Sequence, residues 1–190
     1  MWRLFASHRD YTDQFLAESS IFRVVDSFGI ELLRPYREGR SWEQIGRQGL
    51  SNHRWIIGAK LGVVLNHLGL PVTWSCGAAN LPDQAFQPLI KEFESEMLIL
   101  SDQGFHAAHG DPSNLSVCKK GQQNYRMVVE TLFALLSGVM HFQRQAHRNW
   151  DVLAAPIGYA LAAFNTLVPW DGLPTDRDGF LRLSIAEFSL

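Results

Sequence analysis

Cysteine is scarce in this chain. It occurs twice in 190 residues, as Cys76 and Cys118, and neither stands in a C-x-x-C pair. That count excludes a disulfide scaffold and fits a reducing cytoplasm, where both read as plain core or loop thiols. Long hydrophobic runs are missing too. The stretch nearest to a membrane span, Val152 to Phe164, is shorter than the roughly 18 to 20 residues such a span needs. It also carries Pro156 and follows Asp151, so it reads as a core helix and no membrane partner is expected. No basic segment followed by an apolar one opens the chain, so nothing marks it for export. The G-x-S-x-G frame that would make Ser101 a nucleophile is absent. No internal repeat or low-complexity tract interrupts the sequence.

What is present describes one globular domain. A length of 190 residues with 46% hydrophobic content predicts a single unit over residues 1–190, large enough to bury a core, with a polar tail from about residue 171. The net charge of −2 is weak evidence against a nucleic-acid partner, because the charges are unevenly placed. Residues 34–60 hold Arg34, Arg37, Arg40, Arg47, Arg54 and Lys60 against Glu38 and Glu43. Residues 117–148 hold Lys119, Lys120, Arg126, Arg144 and Arg148 against Glu130. Each segment is net +4, and the rest of the chain is net −10. The two segments are either solvated loops or, if the fold joins them, one phosphate-binding face.

The local patterns give a mixed α/β order. Residues 20–32, rich in Ile, Phe and Val, predict a strand. Residues 33–53 carry Pro35, Gly39, Gly46 and Gly49 and predict a long loop. Residues 54–65 and 71–78 predict two strands joined in an antiparallel hairpin. Ala85, Phe86, Leu89, Ile90 and Phe93 recur at helical spacing and predict a helix over 81–96, with Pro82 near its start. "MLIL" at 97–100 predicts another strand, and residues 104–121 a loop. Two apolar helices follow, over 122–142 and 149–168, and their packing on the sheet explains their hydrophobicity. The six tryptophans, among them Trp42, Trp55 and Trp74, predict core or loop anchors, with one near the basic loop available to stack on a base.

Three acids stand out against this background. "LILSD" is the pattern of a strand buried on both faces that ends in Asp102, and in open α/β sheets functional groups collect just beyond such strand ends. "FRVVD" puts Asp26 in the same kind of position. Each aspartate alone reads first as a turn or helix cap. Together, on neighbouring strands, they repel unless a cation lies between them, which is the arrangement of a magnesium site. On the helix over 122–142, Gln123, Arg126, Glu130, Ser137 and His141 fall within an arc of about 60°. The rest of that helix is apolar, so Glu130 needs a partner, either Arg126 one turn away or the strand ends. His106 and His109 form an H-x-x-H without a third ligand at a zinc spacing and read as loop histidines.

With these residues in place the chain resembles the catalytic domain of bacterial insertion-sequence transposases of the DDE type, which have a ribonuclease H-like fold. The resemblance covers roughly residues 20–170. It rests on "VVDSFGIEL", "REGRSWEQIGRQGLSNHRWIIGAKLGVVLN", "AANLPDQAF", "LSDQGFHAAHGDPSNLSVCKKG", "RMVVET" and "HFQRQAHRNW" in this order. It implies a mixed sheet flanked by helices, with Asp26, Asp102 and Glu130, in the order strand, strand, helix, as the metal-binding catalytic triad. Arg126 and Glu130 reproduce the Arg-x3-Glu core of a signature written Tyr-x2-Arg-x3-Glu-x6-Lys in related transposases. Gln123 stands at the Tyr position and Ser137 at the Lys position.

The chemistry so implied is Mg²⁺-dependent cleavage of double-stranded DNA and strand transfer between transposon ends and target, with Mn²⁺ as a substitute. Two Mg²⁺ ions roughly 3.5 to 4 Å apart are expected, held by the carboxylates as hard oxygen ligands. Arg126, Lys119, Lys120, Arg37, Arg40 and Lys60 are expected on the DNA backbone. The resemblance further implies a homodimer on paired ends, acting on the nucleoid in the bacterial cytoplasm. The stretch before Asp26 is too short for the end-binding region that such transposases carry upstream. A second expectation follows: a truncated, inactive remnant that keeps the fold and serves only as a DNA- or transposase-binding module.

Overall fold

The computed structural model describes residues 12–40, 42, 44–51, 53–118, 126–147 and 149–170, the side chains of 126–128, 131 and 168–170 aside. Six strands form one mixed sheet: β1 (Phe22–Leu33), β2 (Arg47–Ser51), β3 (Arg54–Leu65), β4 (Pro71–Ala78), β5 (Leu98–Ser101) and β6 (Leu115–Val117). Among the described residues they are accompanied by the α-helices α1 (Gln87–Lys91), α2 (Arg126–Gly138) and α3 (Trp150–Trp170).

β1 is the central strand of the sheet, apolar on the face of Val24, Phe28, Ile30 and Leu32 and mixed on the face of Val25 and Ser27. β3 runs antiparallel to it on one side, Asp26 facing Val63 and Phe28 facing Leu61. β5 runs parallel on the other, and β6 continues parallel beyond β5. The far edge of β3 is shared: its first residues pair with β2 and its later ones with β4, both antiparallel. The 54–65 and 71–78 strands therefore form the antiparallel hairpin that their sequence predicts.

Alternation along β1 sorts the core into two halves. Val24, Phe28, Ile30 and Leu32, with Ala59, Leu61, Val63 and Leu65 of β3, meet Val129, Leu132, Leu135 and Leu136 of α2 and Leu153, Ile157, Leu161 and Phe164 of α3. Phe28 stacks on Phe133 with ring centroids 5.0 Å apart. On the opposite face Val25, Val64 and Ile99 pack under Phe86, Leu89, Ile90 and Phe105. Each such side chain removed from water contributes about 1.5 to 3 kcal/mol. Gly62 is what lets Phe86 lie flat on β3, since a β-carbon there would stand 2.5 Å from the ring. The apolar stretch 152–164 thus lies in a core helix, and among the described residues no helix is long and apolar enough to cross a membrane.

Several expectations need correction. The loop over 33–53 contains β2, whose sequence, RQGLS, has one apolar side chain and is held by pairing with β3 rather than by its own propensity. The loop over 104–121 contains β6, seated where Ile99 N–H donates to Asn114 O and Asn114 Nδ2 donates to Ile90 O. The helix over 81–96 is a 3-10 turn at Asp83–Phe86, then the short α1, then turns. Phe86, Leu89, Ile90 and Phe93 still pack on the sheet, while Ala85 is exposed. α2 ends at Gly138, and His141 takes a left-handed backbone (φ 54°), so the polar stripe does not extend to it. Gln123 lies outside the described residues, as do the tail from 171 and the positions 119–125.

Arg23 is an anomaly in this core. It is 1% exposed on β1, and its guanidinium lies 4.0 Å from the centre of the Phe93 ring. None of its three nitrogens meets a hydrogen-bond acceptor among the described residues. Burial pulls the group down to about 10, against the opposing pull of Glu96. That value remains above neutrality, so the charge and its desolvation cost persist at physiological pH. Because the folded value is the lower one, the unfolded chain holds the proton more tightly, and stability should rise as pH passes upward through about 10. Arg23→Met, which keeps the length and removes the charge, is expected to stabilise the fold by roughly 1 to 3 kcal/mol, read as a higher urea midpoint at pH 7.

Candidate functional site

The parallel pairing of β1 with β5 is where the expected site residues meet. Its matched residues are Phe22 with Leu98, Arg23 with Ile99 and Val24 with Leu100. Asp26 lies as far beyond Val24 as Asp102 lies beyond Leu100. The two aspartates thus share the offset of the β1–β5 ladder, whose last matched pair, Val24 with Leu100, lies two residues before them. Asp102 keeps extended backbone (φ −83°, ψ −179°), so the alternation carries through it. Asp26 falls on the side of Val24 and Phe28, the face that α2 and α3 cover, while Asp102 stands just past the end of β5 with its carboxylate turned back to the Gly104 amide.

Glu130 approaches from that covering layer. Val129 points into the core, and Glu130 beside it is exposed. It lies one turn before Phe133, which stacks on Phe28, itself two residues beyond Asp26. Exposure means that solvent meets the Glu130 charge, so the ion partner expected for a buried acid is not required. Among the described residues no group of three His, Cys, Asp or Glu side chains stands close enough to hold a metal ion. The structure thus puts Asp26 on β1, Asp102 just past the end of the adjacent β5 and Glu130 on α2, without drawing all three into one cluster among the described residues.

Both aspartates also hold local structure. Asp26 Oδ1 accepts from the Ser27 amide at 2.7 Å. Asp102 Oδ1 accepts from the Gly104 amide at 2.9 Å and caps the 3-10 turn Gln103–Phe105, whose Phe105 is anchored in the opposite half of the core. The cap reading and the ligand reading of Asp102 are compatible, since one carboxylate oxygen suffices for the cap.

A fourth acid, not singled out in the sequence, stands on the other face. Asp83 Oδ1 accepts from Ser27 Oγ at 2.6 Å and from Lys60 Nζ at 3.1 Å. The Lys60 side chain is 13% exposed, so this pair is largely shielded. The signal was available: Lys60 sits within an apolar strand, and a cation there calls for an acid.

The remaining candidates spread over the surface. Lys60 is engaged by Asp83 rather than turned to solvent, which takes it off the expected DNA face. Arg37 and Arg40 lie in the loop after β1, their guanidinium carbons 5.8 and 5.9 Å from the Tyr36 ring centre. Lys119 and Lys120 lie outside the described residues, as does the Arg126 side chain. The two basic segments do meet at Glu31. Arg54 Nη2 is 3.2 Å and Arg144 Nη2 3.8 Å from its carboxylate oxygens, while the Glu31 backbone bonds to Gln143 and Gln145.

Tryptophans divide likewise. Trp74 packs against the core, but Trp42 is 93% and Trp55 64% exposed, which corrects their reading as anchors. Trp55 faces Leu50 across the β2–β3 pair, and Leu50 too is exposed. His106 Nδ1 lies 2.6 Å from Asp111 Oδ2, and the Ala107 amide and His106 hold Asp111 below the usual carboxylate range. This histidine is spent on a loop, as expected. Cys76 and Cys118 are free thiols, and burial pushes Cys76 up to about 12.

Comparison with protein families, with curated proteins and with solved structures gave no match. The geometry is therefore the basis for any functional reading. One consequence is direct: Lys60→Met leaves Asp83 without its cation. A loss of about 1 to 3 kcal/mol in unfolding free energy is expected by denaturant titration, larger than for an exposed ion pair.

Proposed function

We propose that this chain is a DDE-type transposase catalytic domain of ribonuclease H-like fold, carrying out metal-dependent cleavage and strand transfer on DNA. The observation that carries the reading is that Asp26 and Asp102 share the sequence offset of the β1–β5 ladder, the offset of Val24 from Leu100. Glu130 on the helix over that face supplies the third carboxylate. A mixed sheet centred on β1, with helices on both faces, supports a ribonuclease H-like arrangement.

The donors suit a hard divalent cation, being carboxylate oxygens set toward one strand-end region. Bound Mg²⁺ would activate water or a 3′-hydroxyl and stabilise the leaving oxygen. The chain's own part is to hold the carboxylates in place and the DNA against them. Backbone amides fix one oxygen each of Asp26 and Asp102 on a central strand pair. The DNA backbone would lie along the exposed Arg37, Arg40, Arg54 and Arg144. Paired DNA ends would call for two copies of the chain.

Exposed Trp42, Trp55 and Tyr36 among these arginines support DNA contact under a second reading as well, that of a binding module without activity. The two readings separate cleanly. Glu130→Gln keeps shape and removes charge, and is expected to reduce Mg²⁺-dependent DNA cleavage by roughly 10- to 100-fold with DNA affinity preserved. Cleavage at the wild-type rate in Glu130→Gln would sink the triad. Trp55→Ala is expected to weaken single-stranded DNA binding by about 1 to 3 kcal/mol, in a titration of labelled oligonucleotide, under either reading.

A further inference from the structure

We infer that Asp83 is a positioning residue that holds Asp26 and Asp102 at one height across the β1–β5 pair. This rests on the reading of those two aspartates as metal ligands and adds a residue to it.

The need arises because the backbone ladder stops early. Its last matched pair is Val24 with Leu100, two residues short of the aspartates. Ser101 already pairs outward with Val117 of β6. Beyond it the chain turns into the 3-10 segment, so β1 and the end of β5 are not joined by ladder bonds at the level where two negative charges face each other.

Asp83 spans that gap from the opposite face of the sheet. Its Oδ1 takes the Ser27 hydroxyl, and the Ser27 amide in turn holds Asp26 Oδ1. Its Oδ2 lies against Gly104, whose amide holds Asp102 Oδ1. Asp83 is thus one residue removed from each aspartate. Lys60 of β3 offsets its charge at 3.1 Å and ties it to the strand that pairs with β1. Gly104 is part of the device. A β-carbon there would stand 2.7 Å from Asp83 Oδ2 and 3.1 Å from Asp102 Oδ1. Any larger residue would push Asp83 off its two donors. Removing the Asp83 charge also leaves the Lys60 cation without its counter-charge near the two ligands, and both effects weaken the metal.

The test is Mn²⁺ binding to the full chain, followed by water-proton relaxation, for the wild type, Asp102→Asn, Ser27→Ala, Asp83→Asn, Gly104→Ala and the double variant of the last two. Thermal melts identify the variants that remain folded. The expected result is loss of tight binding in Asp102→Asn and roughly tenfold weaker binding in folded Asp83→Asn and in Gly104→Ala. The double variant should be no weaker than the weaker single one, because both act through the same contact. Should Asp83→Asn not fold, Ser27→Ala carries the test with the same expected weakening, since it removes the hydroxyl that Asp83 accepts, leaves the Ser27 amide on Asp26 and keeps every charge in place. Folded variants that bind Mn²⁺ as tightly as the wild type, beside a defective Asp102→Asn, would overturn the positioning role and leave the metal site standing. A wild type without Mn²⁺ binding, or an Asp102→Asn that binds unchanged, would overturn both.

Discussion

The structure turns on one constraint: β1 is buried on both faces and paired on both edges, yet it carries an acid in its middle. Val24, Phe28 and Ile30 commit one face to α2 and α3, and Val25 commits the other to the layer of Phe86 and Phe105. Once those are packed, the register with β3 and β5 cannot slip by one residue without turning every apolar side chain to the wrong face. The position of Asp26 is therefore dictated first by its neighbours' hydrophobicity, and its own hydrogen bonds act within that frame. The same packing fixes β5 through Ile99, and so the height of Asp102.

This division of labour explains the two layers of polar structure around β1. Asp26, on the face of α2 and α3, stands half-buried within β1, seven residues before its end rather than at the strand end its sequence predicts, and Asp102 just past the end of β5. On the opposite face Ser27, Lys60 and Asp83 neutralise one another at short range. Arg23 has no such company, and its charge is tolerated because the large apolar area around it outweighs the penalty.

Much of this was legible in the sequence where the pattern was dense. Two strands, 54–65 and 71–78, are bounded in the fold as their residues predict, because Ile, Val and Leu fill them and Pro71 and the 66–70 turn delimit them. The central elements around Asp26 and Asp102 were readable for the same reason. What escaped had little local signal. β2 has one apolar residue and β6 has three residues in all, so each exists only through its partner. The exposure of Trp42 and Trp55 was hidden because tryptophan is usually a burial signal. Asp83 was hidden because its partners, Ser27 and Lys60, are 56 and 23 residues away. The shared ladder offset of Asp26 and Asp102 likewise needed the register, which sequence spacing alone does not reveal.

The long stretch of chain between the two aspartates has a consequence for how the protein is made. Hairpins such as β3–β4 close short loops and can form as soon as they are synthesised, whereas β1 must wait for β5, which follows β2, β3, β4 and α1. The acidic pair accordingly does not exist in a nascent chain that has only its antiparallel half. During that interval β1 has one unpaired edge, lined by Phe22, Val24 and their neighbours. A folding-defective variant of β5 would expose it to another chain, so loss of the site and self-association would arrive together.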